Sequence, residues 1–73
     1  MLMSIKAADL QVGDIVRITA GVAGRVNKIL DTTYKTITYH FTYTQCDAYP
    51  SLVGKSRSNR HLLRTELEVD RLT

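Results

Sequence analysis

Lys55, Arg57 and Arg60 stand at short intervals in residues 54–60, a stretch whose remaining positions are Gly54, Ser56, Ser58 and Asn59. Ammonium and guanidinium groups meet phosphates, and hydroxyl and amide side chains add hydrogen bonds to a nucleic-acid backbone. The composition therefore suits contact with DNA or RNA. Arg64, Arg17 and Arg25 extend the patch wherever strand register brings them alongside. The plainer alternative is a solvated loop whose charges serve solubility. Four tyrosines offer a second chemistry, because an exposed phenol ring beside cations can stack a base or anchor a peptide. Tyr39 and Tyr43 share parity with Phe41 and are expected in the core. Tyr34 and Tyr49 fall in connecting segments and are the candidates for a partner-binding surface.

Other reactive side chains do not assemble into a site. His40, Cys46, Asp47 and His61 are scattered, whereas zinc ligands come in close, regular pairs, so no metal is expected. Cys46 has no base placed beside it, and a lone cysteine commonly serves as a small buried hydrophobe. Glu66, Glu68 and Asp70 alternate along one segment, a pattern of a solvated strand edge or of a face for a basic partner rather than of paired acid–base carboxylates. The chain is read as non-catalytic and free of cofactors.

The 73 residues bound the architecture to one domain, 1–73. A chain of this size buries only about 60% of the surface its unfolded form exposes, so its apolar residues are committed to the core and oligomerisation is one way to bury more. One cysteine permits no intrachain disulfide, which favours a reducing, cytoplasmic setting over a small secreted scaffold. Residues 1–10 lack the long apolar run of a signal peptide, and nothing approaches the ~20 apolar residues of a spanning helix, so no membrane partner is expected. The formal charge is +3, and between Thr32 and Thr65 the only acid is Asp47. A basic patch on one side of the molecule follows.

The elements that must hold these side chains read as strands. Residues 1–11 form a lead-in of one helical turn or loose chain, with Ile5, Ala8 and Leu10 facing inward. Residues 14–20 and 22–30 are two strands meeting at a turn between Gly21 and Gly24, and a bulge near Asn27 and Lys28 is needed to bring Ile29 to the core side. Residues 36–44 are the clearest strand: Ile37, Tyr39, Phe41 and Tyr43 alternate with threonines and His40. Its threonine face is left for solvent, a partner or a second copy across a homodimer interface. Residues 45–59 are read as a long loop, with Tyr49, Leu52 and Val53 docking part of it and residues 56–59 the most mobile. Strands resume at 60–64 and 67–72, with a possible 3₁₀ turn at 65–67. The result is an all-β, SH3-like barrel of about five strands.

Two segments carry resemblances. Gly21-x-x-Gly24-x-Val26-x-x-Ile29 resembles the second half of a KOW motif, found in ribosomal and transcription-elongation barrels, although the longer basic loop that precedes those glycines is replaced here by Thr19-Ala20. Residues 59–69, NRHLLRTELEV, are similar to the closing segment of the SH3-like accessory subunits of photosystem I and ferredoxin-thioredoxin reductase. Residues 13–17, Gly-Asp-x-Val-Arg, are similar to the start of plasmid-type dihydrofolate reductase, whose Val-Gln-Ile-Tyr active-site stretch has no counterpart here. These resemblances imply a small barrel. They leave two functional expectations: a binding module for nucleic acid or a ribonucleoprotein, and an accessory subunit docking a protein through the long loop and the tyrosines.

Overall fold

A computed structural model of the protein describes residues 2–71. Six strands form a single antiparallel sheet: β1 (Leu2–Lys6), β2 (Ile15–Thr19), β3 (Val22–Thr32), β4 (Thr36–Cys46), β5 (Ser56–Leu62) and β6 (Glu66–Asp70). Their spatial order is β1-β6-β2-β3-β4-β5. The fold is all-β, with two 3₁₀ turns at Ala7–Asp9 and Pro50–Leu52. The two outer strands, β1 and β5, do not pair with each other, so the sheet is open rather than closed into the expected barrel.

Alternation makes one face of this sheet apolar. Val16, Val26, Ile37, Tyr39, Phe41, Leu67 and Val69 are buried from β2, β3, β4 and β6, and Ala7 and Leu10 cover them from the first 3₁₀ turn and the residue after it. The long strands β3 and β4 supply the curvature that lets a single sheet enclose this core. Their register slips at three places, including between Val26 and Lys28. Each slip inserts a residue, bends the strand and increases its twist. The bulge expected near Asn27 is one of them, and Ile29 reaches the core side opposite Tyr39.

Gly24 adjoins one of these slips, the one between Ala23 and Gly24. A Cβ there would overlap Phe41 Cδ2 and lie 3.1 and 3.2 Å from Cε2 and Cγ of the same ring. Gly21 makes the β2–β3 turn at φ +76°, and a Cβ on it would meet Asp47 Oδ2 at 2.8 Å. The two glycines serve different needs: close packing at Gly24, and both a left-handed backbone and close packing at Gly21.

Several sequence expectations change. The lead-in is a strand followed by a 3₁₀ turn, with Ala7 buried and Ala8 exposed. β4 extends to Cys46, and residues 56–59 belong to β5, so the long loop contracts to residues 47–55. The turn before the last strand is closed by Thr65 N–H donating to Leu62 O at 3.0 Å, and β6 begins at Glu66, so no 3₁₀ turn occupies 65–67. Leu72, placed by sequence in the last strand, lies outside the described residues.

Candidate nucleic-acid interface

β5 divides the basic stretch between two faces. Residues directly opposite in an antiparallel pair share a face. Phe41, Tyr39 and Ile37 lie opposite Arg57, Asn59 and His61, while Thr42, His40, Thr38 and Thr36 lie opposite Ser56, Ser58, Arg60 and Leu62. Arg57 therefore stands on the core side of the sheet at its margin, and Arg60 on the outer side. Lys55 lies in the turn before β5, its carbonyl accepting Tyr43 N–H at 2.8 Å. The single basic patch expected from spacing does not form on β5 alone.

A basic surface does form across three strands. Arg25 lies opposite Thr42 and Lys28 opposite His40, so both join Arg60 on the outer face of β3, β4 and β5. Around them are Thr38, Thr42, Ser56 and Ser58. Asn27 Nδ2 donates to Thr42 Oγ1, and Thr42 Oγ1 and Ser56 Oγ share a hydrogen bond of 3.0 Å, a polar chain linking the three strands. Asp31, opposite Thr38, is the acid in these rows. Lys28 escapes a reading based on strict alternation, because the bulge at Asn27 resets the parity of β3. Arg17 lies on the same face but on β2, where it lines a shallow depression with Leu2, Ile15, Ala23, Thr44, Gln45 and Asp70.

The inward residues of β5 serve packing. The Tyr39 and His61 rings stack with centroids 5.6 Å apart, and Tyr39 Oη and His61 Nε2 share a hydrogen bond of 3.0 Å. Burial lowers the affinity of His61 for a proton from its ordinary value. Burial also pushes the Tyr39 phenol up, against the pull of a hydrogen bond from the Asn59 side chain.

The two candidate tyrosines lie at opposite ends of β4. Tyr49 precedes the second 3₁₀ turn and is 67% exposed. Tyr34 is 87% exposed on the β3–β4 turn, with Lys35 Nζ 5.7 Å from its ring centroid. Thr33 stitches this turn: its hydroxyl accepts the Thr36 and Lys35 N–H groups at 3.0 and 3.2 Å. Leu63 N–H donates to Lys35 O at 2.8 Å, tying the β5–β6 turn to the hairpin tip. Between the two turns is an open cleft of about 420 Å³ lined by Tyr34, Lys35, Leu62, Leu63 and Arg64. The structure thus joins Arg64 to Tyr34 rather than to the rest of the basic stretch.

Cys46 is buried. Among the described residues, no group of three or more His, Cys, Asp or Glu side chains is placed to hold a metal ion, and no helix is long and apolar enough to cross a membrane. Comparison of the chain with family models, curated proteins and solved structures returned no match in any of the three.

Proposed function

We propose that the protein is a non-catalytic module that binds nucleic acid through the outer face of β3, β4 and β5. The observation that carries this reading is the convergence of Arg25, Lys28 and Arg60 among threonine and serine hydroxyls on one continuous sheet face. Cations on such a face neutralise phosphates and release counterions, and hydroxyl groups fix the backbone in place without reading sequence. The resemblance of residues 21–29 to KOW segments of ribosomal and elongation barrels leans the same way. A single buried thiol suits a reducing cytoplasm.

With three cations on the face, binding is modest and steeply dependent on salt. The test is an Arg25→Ala/Lys28→Ala/Arg60→Ala variant, titrated against labelled DNA and RNA at several salt concentrations. The variant stays folded by circular dichroism, loses most of its affinity, and flattens the salt dependence. Wild-type protein that shows no mobility shift at low salt ends this reading.

A second reading rests on a different observation. β5 is an open edge, and Tyr49 and Val53 are exposed beside the turn that leads into it. An open edge pairs readily with an extended segment of another chain, including a second copy of this one. Under this reading the protein is an accessory subunit, and it copurifies with a stoichiometric partner that survives nuclease treatment.

A further inference from the structure

We infer that the cleft between Tyr34 and Arg64 receives one unpaired nucleotide, so that the module prefers single-stranded over duplex nucleic acid. This rests on the nucleic-acid reading above and assigns it a second, separate contact. The cleft joins three features that a nucleotide needs together. Tyr34 is 87% exposed, with Lys35 Nζ over its ring 5.7 Å from the centroid, the leucines Leu62 and Leu63 supply an apolar wall, and Lys35 and Arg64 place positive charge at the same opening. A base stacks on an aromatic face whatever its identity, and the phosphate beside it is held by the cations. The occupant is chosen by charge: among the lining residues there are two cations and no acid.

Position supports the same conclusion. Arg60 and Leu62 are alternate residues on the outer face of β5, opposite Thr38 and Thr36. A strand laid along the basic face past Arg60 arrives at Leu62 and then at the cleft. A base held within a duplex is already stacked on its neighbours and cannot turn its face to Tyr34. A base at a single-stranded end or in a gap is free to do so. The sugar is open to solvent in this arrangement, so DNA and RNA are separated by experiment.

The test compares labelled single-stranded DNA, single-stranded RNA and a duplex of the same sequence, against wild-type protein, Tyr34→Ala and Arg64→Ala. Wild type binds the single strands more tightly. Tyr34→Ala loses about fivefold or more of that affinity, the range measured for one stacked base, while its duplex affinity is unchanged. Arg64→Ala weakens single-strand binding and lowers its salt dependence. Tyr34 is exposed enough that its loss leaves the fold intact, which a melting curve checks. Equal affinity for duplex and single strands, or a Tyr34→Ala variant that binds like wild type, overturns the inference and leaves the basic face standing. Absence of any binding by wild type removes both. A polyglutamate peptide that competes for the cleft as well as the oligonucleotide does assigns it to acidic protein segments and also overturns the inference.

Discussion

Among the described residues, Asp14 is the only charged side chain that is buried, at 2% exposure, and its carboxylate is saturated by short contacts. Arg71 Nε donates to Oδ1 at 2.8 Å, Arg71 Nη2 to Oδ2 at 2.7 Å, and Gln11 N–H to Oδ2 at 2.9 Å. Arg71 also donates to Asp9 O at 3.1 Å. The side chain therefore joins the segment after the first 3₁₀ turn, the start of β2 and the end of β6. Burial alone would raise its pKa, but the Arg71 hydrogen bonds, the Gln11 N–H and the Arg71 charge outweigh it and hold the carboxyl below its ordinary value. The consequence for stability has a definite sign. As pH falls, the unfolded chain takes up this proton near 3.8 while the folded chain does not. The contribution is complete above that pH and is lost as pH drops through the folded value. Asp14→Asn keeps the size but removes the charge. It should lower the thermal midpoint at neutral pH by about 4 °C or more, the shift that ~1 kcal/mol produces in a domain of this length. Melting curves taken from neutral to strongly acid pH should also show a shallower acid decline for the variant than for wild type.

At the scale of elements, the tightest demand falls on the β3–β4 pair. Gly24→Ala pushes a methyl group into the Phe41 ring, which is buried and itself packed edge-on against Tyr43 with centroids 5.0 Å apart. The ring cannot swing away without disturbing that neighbour, so a loss of roughly 1–3 kcal/mol is expected, read from urea unfolding with an unchanged slope. β4 was legible in the sequence because every second residue from Ile37 to Tyr43 is apolar or aromatic, and the structure buries Ile37, Tyr39 and Phe41 and packs Tyr43 against them. The β3 bulge was legible for the same reason, since Ile29 fell out of phase. β5 was not legible as a strand of this length. Its inward residues, Asn59 and His61, are polar side chains that hydrogen-bond the Tyr39 phenol, the His61 ring also stacking on that of Tyr39, so no hydrophobic period marks it. β1 is five residues long and follows no turn signal, which left its alternation of Met3 and Ile5 too brief to distinguish from loose chain. The candidate site was legible in its residue types and not in its grouping. Arg57 and Arg60 differ in parity, Lys28 is reset by the bulge, and Arg64 is carried to Tyr34 by a turn.

Across the whole molecule, the sheet carries its charge in two territories. Glu66, Glu68 and Asp70 occupy the outer side of β6 opposite Lys6, Ser4 and Leu2 of β1, while Arg25, Lys28 and Arg60 lie on the other side of β2. Under the nucleic-acid proposal, the acidic margin repels the polyanion and leaves β3–β5 as the face it meets. β1 also covers β6, with Met3 and Ile5 packed against the core. Removing residues 2–6 bares the edge of β6 and both of those contacts, and in a domain with so thin a margin the truncated chain should lose its cooperative melting transition, as followed by circular dichroism. The pairing of Leu2 with Asp70 has a further consequence for how the molecule comes into being. β1 precedes every other described strand in the chain, and its only partner among them is β6, which follows them all. Without β6, β1 has no ladder to join, and the loop their pairing must close runs from Lys6 to Glu66. Completing the sheet is therefore the pairing of greatest sequence separation among the described strands, and Met3 and Ile5 reach the core only when it forms.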